Sequence, residues 1–258
     1  MMKPVCWVLG GGLLGSSTKK ALLDAQFTLY TPSFKFHWGD KVSLEKQMQL
    51  ALKEFSSIVK SSKWRIFWTA GIGTMHSDGT YLSLETDTLK YFINLIKDAC
   101  DIDPQRGNFI YASSAGAVYA GCLSSIINEN TLPNPVNPYG QHKLMQESIV
   151  QELSVTGVVP YIFRISTLYG DAQSAVKRQG LLTEIARRVV RNDLIQIYVS
   201  LDTMRDYIFV DDAVKVILRH LEESSFSNIG LRIVASENPV TISRILKIFK
   251  LASKKIFP

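Results

Sequence analysis

The sequence has few of the residues from which metal centres and disulfide frameworks are built. Its three cysteines, Cys6, Cys100 and Cys122, include no C-x-x-C pair, and its four histidines are scattered with no two at metal-ligand spacing. An odd number of cysteines without such a pair suits a reducing compartment better than an oxidising one. We therefore expect no metal site and a cytoplasmic protein.

Long hydrophobic runs are also missing. The apolar run at residues 5–9 is followed by three glycines, and no stretch reaches the roughly 18 apolar residues that a membrane span needs. Because 46% of the residues are hydrophobic and 20% are charged, disordered and fibrous proteins are excluded as well. The composition predicts a globular protein that does not associate with a membrane.

Most of the chain has no excess of charge of either sign. The net charge of +6 arises from 29 basic and 23 acidic residues, and five of the basic ones lie in residues 239–258, which contain no acidic residue. A nucleic-acid-binding protein is expected to spread basic side chains over a binding face, so we expect no nucleic-acid partner. The basic tail is interpreted as a helix with a solvated face; a membrane-binding or partner-binding helix is the alternative.

Strand-type and helix-type patterns alternate along the chain. Predicted strands are residues 5–9, 27–30, 65–69, 109–112, 158–165, 195–198, 207–210 and 231–235, and predicted helices are residues 16–23, 43–61, 84–98, 137–153, 180–192, 211–223 and a last helix from Thr241. This alternation predicts a parallel sheet covered by helices on both faces, because right-handed crossovers place the helices there. The less regular second half is expected to form a small lobe over the carboxyl edge of the sheet, where ligands of open α/β sheets bind.

A glycine-rich loop separates the first predicted strand from the first predicted helix. Residues 10–15 read Gly-Gly-Gly-Leu-Leu-Gly, which is the G-x-G-x-x-G pattern of dinucleotide-binding loops. Gly10 permits the tight turn, Gly12 lets a pyrophosphate approach the backbone, and Gly15 lets the helix pack closely on the strand. The helix N-terminus then offers free amide donors to the phosphates. We interpret the loop as a dinucleotide site; an ordinary glycine-rich turn is the alternative.

The acidic residue that often accompanies this loop is absent. An Asp or Glu about 20 residues further on would hydrogen-bond the adenosine ribose of NAD, but residues 25–39 have no acidic side chain. The second predicted strand ends near Thr31, and Lys35 follows. A 2′-phosphate would not be repelled there, so NAD and NADP both remain open as the cofactor; a Lys35 that is simply exposed to solvent is the alternative.

Tyr139 and Lys143 lie one turn apart on a predicted helix and therefore on the same face. A nearby ammonium, together with the positive nicotinamide ring of an oxidised cofactor, would lower the pKa of the tyrosine from its usual value of about 10 and make it a useful base at neutral pH. A tyrosine and a lysine at this spacing are common, so a chance pair on a helix surface is the alternative.

Five motifs occur in a fixed order along the chain. They are residues 10–15, Tyr111-Ala112-Ser113-Ser114-Ala115-Gly116-Ala117-Val118-Tyr119, Pro138-Tyr139-Gly140-Gln141-His142-Lys143, Arg164-Ile165-Ser166-Thr167-Leu168-Tyr169-Gly170 and Arg205-Asp206-Tyr207-Ile208-Phe209-Val210-Asp211-Asp212. Together they resemble the extended short-chain dehydrogenase/reductase family, the NAD-dependent epimerases and dehydratases that act on nucleotide sugars, over nearly the whole chain. The resemblance implies an α/β fold with a Rossmann-type doubly wound parallel sheet and a small C-terminal substrate lobe. Residues 1–168 with 207–236 would form the dinucleotide-binding core, and residues 169–206 with 237–258 the lobe.

The resemblance also implies roles for individual residues. Tyr139 is the acid/base that acts on the sugar, Lys143 binds the nicotinamide ribose and tunes Tyr139, and Ser114 completes the catalytic set. The implied cofactor-binding residues are Gly10, Gly12, Leu13, Leu14, Gly15, Thr31, Ala70, Ser113, Tyr139 and Lys143. The implied substrate-binding residues are Ser114, Thr167 and Arg205, of which Arg205 contacts the diphosphate. A salt bridge to Asp206 is the alternative for Arg205.

The chain departs from the family pattern in three ways. Ala115 replaces a Ser or Thr that usually hydrogen-bonds the reacting oxygen, so this contact must come from Ser114 or a water, or the site is impaired. Gly116 and Ala117 replace the Asp-Glu pair of the 4,6-dehydratase branch, which disfavours dehydration. Thr167 replaces an Asn that is common in the sugar-nucleotide grip.

These features favour an NAD(P)-dependent nucleotide-sugar epimerase or 4-keto reductase, which transfers a hydride reversibly at a sugar carbon. A catalytically weak NAD(P)-binding sensor or assembly protein of the same fold is the alternative, suggested by Ala115, Thr167 and the short C-terminal part. The resemblance further implies a homodimer that pairs through the helices at residues 84–98 and 137–153.

Overall fold

The computed structural model describes residues 3–75, 77–170, 180–223 and 230–253, and its centre is a sheet of six parallel strands with helices on both faces. The strands are β1 (Val5–Leu9), β2 (Thr28–Tyr30), β3 (Trp64–Trp68), β4 (Gly107–Ser114), β5 (Val159–Ile165), β6 (Thr167–Tyr169), β7 (Met204–Arg205), β8 (Tyr207–Phe209), β9 (Gly230–Val234) and β10 (Val240–Thr241). The α-helices are α1 (Leu13–Asp24), α2 (Lys41–Val59), α3 (Gly79–Asp98), α4 (Ala115–Val118), α5 (Pro138–Gln151), α6 (Leu181–Arg191), α7 (Val210–Glu223) and α8 (Ile242–Ser253), with short 3-10 helices at Pro104–Arg106 and Glu152–Thr156. The predicted Rossmann-type α/β class is confirmed.

The six strands follow the order β2-β1-β3-β4-β5-β9, and every neighbouring pair is parallel. The chain winds from β1 outward to β2 and then returns to the other side of β1 to form β3. At such a switch point the connections leave the two strands in opposite directions, so a crevice opens beyond their carboxyl ends. The glycine-rich loop after β1 and the segment after β3 therefore lie together at this crevice.

β1 shows why the sheet is buried on both faces. All five of its residues are buried, as expected for a central parallel strand. Trp7 packs into one apolar cluster with edge-on contacts to Tyr30 and Phe92, whereas Val8 belongs to the cluster on the opposite face. The first cluster is covered by α2, α3 and α5, and the second by α1 and α7. Successive side chains of β1 therefore point to opposite faces of the sheet and pack into different apolar clusters.

Polar side chains fix the starts of three helices. Asp40 caps α2 and Asp78 caps α3, each accepting hydrogen bonds from two backbone N–H groups. At the start of α5, Asn137 Oδ1 accepts from the backbone N–H of Gly140 at 2.9 Å, and Pro138 occupies the first helical position. A cap of this kind typically stabilises a helix by about 1 kcal/mol. The cap of α5 also fixes the start of the helix that carries the predicted tyrosine and lysine pair.

A third apolar cluster lies apart from the two faces of the central sheet. Its buried members are Ile185, Val189, Tyr207, Ile242 and Ile245, so α6 and α8 pack against each other around it. Two small sheets, β6 with β8 and β7 with β10, accompany this cluster. The predicted cap of the last helix is confirmed, because Thr241 Oγ1 accepts from the backbone N–H of Arg244 at 3.2 Å. Lys254 and Lys255 of the predicted basic tail lie outside the described residues.

One predicted strand is wrong. Residues 195–198 do not form a strand; Ile195 and Ile197 instead pack against the third cluster, and this contact explains the apolar alternation. β6, β7 and β10 were not predicted, because two or three residues give no periodic pattern. Two helices begin three or more residues earlier than predicted, α1 at Leu13 rather than residue 16 and α3 at Gly79 rather than residue 84.

Candidate functional site

A cavity of about 930 Å³ lies beyond the carboxyl ends of β1, β3 and β4. Residues in and around the third apolar cluster line its opposite side. The predicted site residues that line it are Gly12, Leu13, Leu14, Ala70, Ser113, Ser114, Tyr139, Lys143, Thr167 and Arg205. Glu85, Tyr207 and Asp211 line it as well, although the sequence analysis gave them no role. The fold therefore gathers the N-terminal glycine loop, α5 and the second half of the chain around one space.

Gly10 and Gly15 lie behind the cavity wall and are explained by close packing. The backbone at Gly10 has φ +120, and a Cβ there would lie 2.5 Å from Thr69 Oγ1. A Cβ at Gly15 would lie 2.6 Å from the same oxygen, which donates a hydrogen bond to the carbonyl of Leu9 at 2.8 Å. Only glycine allows the loop and α1 to approach β3 this closely.

Gly12 has the opposite surroundings. No heavy atom lies within 4 Å of the position that its Cβ would occupy, so this part of the loop is open towards the cavity. Gly12 is also the N-cap of α1; no side chain caps this helix end, and the first turn has no acidic residue. Free amides and the positive end of the helix dipole therefore face the cavity, an arrangement that fits a bound pyrophosphate.

Thr31 was also predicted to bind the cofactor, but the structure places it away from this cavity. It is exposed and lines a separate cavity of about 460 Å³ beside β2 and α2. The preceding Tyr30 turns inward, where its hydroxyl donates to Glu54 Oε2 at 2.7 Å. Lys35 is exposed and does not line the large cavity.

Tyr139 and Lys143 lie on one face of α5, as their spacing predicts. The ammonium of Lys143 is 5.6 Å from the centre of the Tyr139 ring, and only 8% of the lysine is exposed. Its nearest partner is a different phenol, because Lys143 Nζ donates to the hydroxyl of Tyr111 at 3.1 Å. Tyr111 in turn donates to Gln146 Oε1, one turn of α5 further on. This chain of bonds holds the lysine beside Tyr139 without a direct bond between them.

The expected lowering of the pKa of Tyr139 is not found. Burial raises this pKa to about 12, the negative charge of Glu85 acts in the same direction, and a hydrogen bond with Ser114 acts against them. Burial also lowers the pKa of Lys143, while the charges of Glu85 and Glu147 oppose that change. The lysine alone does not bring the pKa down, because desolvation of the phenol depends on tertiary packing, which the four-residue spacing does not show. Among the protein's own groups the phenol is protonated at neutral pH.

The structure identifies which of the two neighbouring serines reaches Tyr139. Ser114 ends β4, lines the cavity and forms a hydrogen bond with Tyr139, whereas Ala115 begins α4. A hydroxyl is thus present beside the phenol despite the alanine at 115. Ser113 is buried, and its hydroxyl donates to Glu147 Oε1 at 2.5 Å.

A buried ion pair anchors α5 to the sheet beneath the cavity. Arg164 on β5 donates to Glu147 Oε2 from Nη2 at 2.6 Å and to both carboxylate oxygens from Nε at 3.0 and 3.2 Å. Arg164 Nη1 also donates to the hydroxyl of Tyr119 at 2.6 Å. The two charged side chains are only 6% and 5% exposed. Because Glu147 lies one turn after Lys143, this pair fixes the helix face that the lysine shares.

Arg205 and Tyr207 both line the cavity. Arg205 forms no salt bridge with any side chain in the described ranges, and Asp206 instead accepts hydrogen bonds from Ser236 and Asn238. The salt-bridge alternative for Arg205 is therefore wrong for the part of the chain that the structure covers. The hydroxyl of Tyr207 is buried and has no hydrogen-bond partner among the described residues.

The family model described as NAD dependent epimerase/dehydratase family matches residues 6–230. The chain belongs to this family. It is therefore an enzyme of an NAD-dependent family whose model spans both the glycine-rich loop and the Tyr139 region.

Individual relatives include proteins named for action on nucleotide sugars. The dTDP-4-dehydro-6-deoxyglucose reductase of Escherichia coli is 28% identical over 96% of this chain and 81% of its own length. A putative UDP-glucose 4-epimerase of Methanocaldococcus jannaschii is 30% identical over 50% of this chain and 42% of its own length. The UDP-glucose 4-epimerase of Thermus thermophilus in complex with NAD superposes with a TM-score of 0.78, at 19% identity, over 98% of this chain and 84% of that chain. This likeness confirms the fold.

Two residues near the tyrosine and lysine pair were given no role by sequence reasoning. Tyr111 opens the second motif and bonds Lys143, but nothing in the motif indicates that contact, and Glu85 lies in an ordinary helix pattern that carries no local signal. Two further kinds of site are not found in the described ranges. They contain no group of three or more His, Cys, Asp or Glu that could hold a metal ion. No helix among them is long and apolar enough to cross a membrane.

Proposed function

We propose that the protein is an NAD(P)-dependent nucleotide-sugar epimerase or 4-keto reductase that transfers a hydride reversibly at a sugar carbon. The observation that carries this proposal is that Tyr139, Ser114 and Lys143 line the same cavity as the open face of the glycine loop. The relatives named as a reductase and as epimerases of nucleotide sugars support it.

The cofactor would lie along the cavity from the glycine loop to α5. Gly12, Leu13 and Leu14 would hold the pyrophosphate at the N-terminus of α1, and Ala70, Ser113 and Lys143 would line the nicotinamide end. When bound, the nicotinamide ring supplies or accepts the hydride. Thr31 would have to meet the adenosine end from outside the cavity, so NAD and NADP both remain candidates.

The chain's own residues would hold the sugar and move one proton. Tyr139 Oη gives a proton to the sugar oxygen in reduction and takes one in oxidation, and Ser114 positions that oxygen. Arg205 would bind the diphosphate, since a forked guanidinium suits phosphate oxygens. Thr167 would contact the sugar. Gly116 and Ala117 offer no acid to expel a hydroxyl, so dehydration is not part of the proposal.

A panel of nucleotide sugars tests this function. The purified protein would be given UDP-, GDP-, dTDP- and CDP-sugars, and their 4-keto forms, with NAD, NADH, NADP and NADPH. We expect epimerised or reduced products with at least one combination. Cofactor binding with no turnover of any of them would favour the sensor or assembly alternative.

Gly12→Val is expected to weaken cofactor binding by at least about tenfold and to change thermal stability little. A Cβ at this position meets no protein atom, but the added methyl groups would occupy the space that a pyrophosphate needs. Calorimetric titration with NAD and NADP measures the change. Gly39→Val is the matched control, because Gly39 is equally open and lies outside the cavity. Similar affinities for both variants would contradict the proposed cofactor position.

We also propose the homodimer that the family resemblance implies. α3 and α5 pack side by side, and three large side chains on them are about half exposed: Tyr81 at 56%, Leu84 at 49% and Met145 at 53%. Covering such side chains on both helices favours association through a two-fold axis. Sedimentation velocity at micromolar concentration should give a dimer, and a monomer would refute the pairing.

The domain limits and the cellular location stay proposals. We propose a core of residues 1–168 with 207–236 and a lobe of residues 169–206 with 237–258, because the third apolar cluster draws most of its members from the lobe segments. Three free cysteines, one of them exposed, support a reducing compartment such as the cytoplasm. The absence of a nucleic-acid partner likewise remains a prediction.

A further inference from the structure

Lys143 is a nearly buried cation whose hydrogen-bond partner is a neutral phenol. Its ammonium lies 5.2 Å from the centre of the Tyr111 ring and 5.6 Å from the centre of the Tyr139 ring. Nζ donates to the Tyr111 hydroxyl at 3.1 Å, and no second hydrogen-bond partner of Nζ lies in the ranges that the structure covers. Since an ammonium carries three protons, two of them are available to a ligand in the cavity that Lys143 lines.

The hydroxyl of Tyr111 begins a chain of buried hydrogen bonds that ends on the backbone of α3. It donates to Gln146 Oε1, Gln146 Nε2 donates to Thr86 Oγ1 at 3.1 Å, and Thr86 Oγ1 donates to the carbonyl of Leu82 at 3.0 Å. The three side chains are each at most 5% exposed, so water has little access to them. The chain therefore ties the partner of Lys143 to both α5 and α3.

The charge on Lys143 fixes the direction of these bonds. An ammonium can only donate, so the Tyr111 oxygen accepts from it and the Tyr111 proton needs another acceptor. Gln146 Oε1 takes that proton, and Nε2 of the same amide is then turned towards Thr86. The opposite orientation of the amide would place a donor against the Tyr111 proton. Gln146 and Thr86 therefore hold the Tyr111 hydroxyl with a lone pair towards Lys143.

Burial opposes a positive charge at this place. It lowers the pKa of Lys143, and the charges of Glu85 and Glu147 act against that change. A hydrogen bond that an ammonium donates also favours the charged form. Burial keeps the pKa of Tyr111 well above its usual value, so the phenol stays a neutral acceptor. The titratable and charged groups on the elements around the lysine are Tyr139, His142 and Glu147 on α5, Tyr111 on β4, Glu85 on α3, Arg164 on β5, Lys20 on α1, Arg205 on β7, Tyr207 on β8 and Asp211 on α7.

We propose that Tyr111 is a positioning residue whose hydroxyl, aligned by Gln146 and Thr86, holds the charged Lys143 in the place from which it binds the cofactor. This inference rests on the proposed function, in which Lys143 lines the nicotinamide end of the cavity. With the hydroxyl present, the lysine side chain is ordered before the cofactor arrives, so less conformational freedom is lost on binding. Without it, the buried ammonium would lose an acceptor and release its proton at lower pH.

Tyr111→Phe is the direct test, because phenylalanine keeps the buried ring and removes only the hydroxyl. The cofactor-free protein is acetylated with a trace of acetic anhydride at a series of pH values, and the label on Lys143 is measured by mass spectrometry. Only the neutral amine reacts, so the midpoint reports its protonation. We expect this midpoint to move about one unit to lower pH, so that the neutral fraction below it rises about tenfold. Calorimetric titration should show about tenfold weaker binding of NAD or NADP.

Thr86→Val tests the same chain at its other end and decides the question if Tyr111→Phe does not fold. Valine removes the hydroxyl that accepts from Gln146, so the Lys143 midpoint and the cofactor affinity should both fall, whereas Thr86→Ser keeps the hydroxyl and should stay near the wild type. Tyr91→Phe is the matched control for Tyr111→Phe. The Tyr91 hydroxyl accepts from Gln49 at 2.8 Å and does not line the cavity, so neither quantity should change.

The outcomes separate this inference from the proposed function. A loss of thermal stability in Tyr111→Phe, with an unmoved Lys143 midpoint and an unchanged cofactor affinity, would show a purely structural role and overturn the inference. A moved midpoint with unchanged cofactor affinity overturns it as well, because Lys143 would then not bind the cofactor from this place. Both shifts without turnover of any nucleotide sugar support the inference and overturn only the proposed function.

Discussion

Tyr139→Phe should lower kcat about a thousandfold and leave the affinity for NAD within about threefold of the wild type. Phenylalanine keeps the ring beside Lys143 and removes only the hydroxyl, which Ser114 contacts at the cavity wall. Without the Tyr139 hydroxyl, no protein group at this place can give or take the proton that moves during hydride transfer. Steady-state kinetics with a turned-over nucleotide sugar, together with calorimetric titration of NAD, measures both quantities.

Tyr81→Phe provides the matched comparison for this variant. Tyr81 is 56% exposed on α3 and does not line the cavity, so the same loss of one hydroxyl should leave kcat unchanged there. Residual activity of Tyr139→Phe near the wild-type level would refute its role as acid/base. Parallel losses of kcat and of NAD affinity would instead mean that Tyr139 shapes the site without transferring the proton.

Arg164→Met should lower the free energy of unfolding by about 3–5 kcal/mol, because it leaves a charged Glu147 buried without its partner. The Glu147 side chain is only 5% exposed and accepts three hydrogen bonds from Arg164, so water cannot readily replace them. Urea denaturation, followed by far-ultraviolet circular dichroism, measures the loss.

The double variant Arg164→Met/Glu147→Leu separates the unpaired charge from the loss of contacts. Removing both charges abolishes the desolvation penalty of Glu147, so the double variant should be more stable than Arg164→Met by at least about 1 kcal/mol. A double variant that is equally or less stable would show that packing, rather than the buried charge, dominates at this position.

The fold was predictable from the sequence because its signals are local and periodic. β1 is a short apolar run followed by glycines, which is what a central parallel strand before a dinucleotide loop requires. The spacing of Tyr139 and Lys143 likewise sufficed to place them on one face of α5. The strand order was not predictable in this way, because it depends on which side of β1 the chain returns to after α2.

The parts of the site that escaped prediction depend on tertiary contacts. Glu85 reaches the cavity because two amides of the loop after β3 bind its carboxylate, and no local pattern indicates such a contact. The pKa of Tyr139 was expected to fall beside a lysine and an oxidised nicotinamide, but the protein's own groups raise it, because the phenol is buried. Residues 195–198 look like a strand because their apolar residues alternate, although these side chains pack on a helix pair.

One threonine links positions that lie far apart in the chain. Thr69 Oγ1 would lie 2.5 Å from a Cβ at Gly10 and 2.6 Å from a Cβ at Gly15, where the carbonyl oxygen of Gly10 would be closer still, so the three residues share one small volume. Neutral drift at position 69 is therefore confined to compact side chains for as long as both glycines keep their places. A larger residue there could be inherited only together with a displaced first helix, and with it a reshaped loop at the cavity wall.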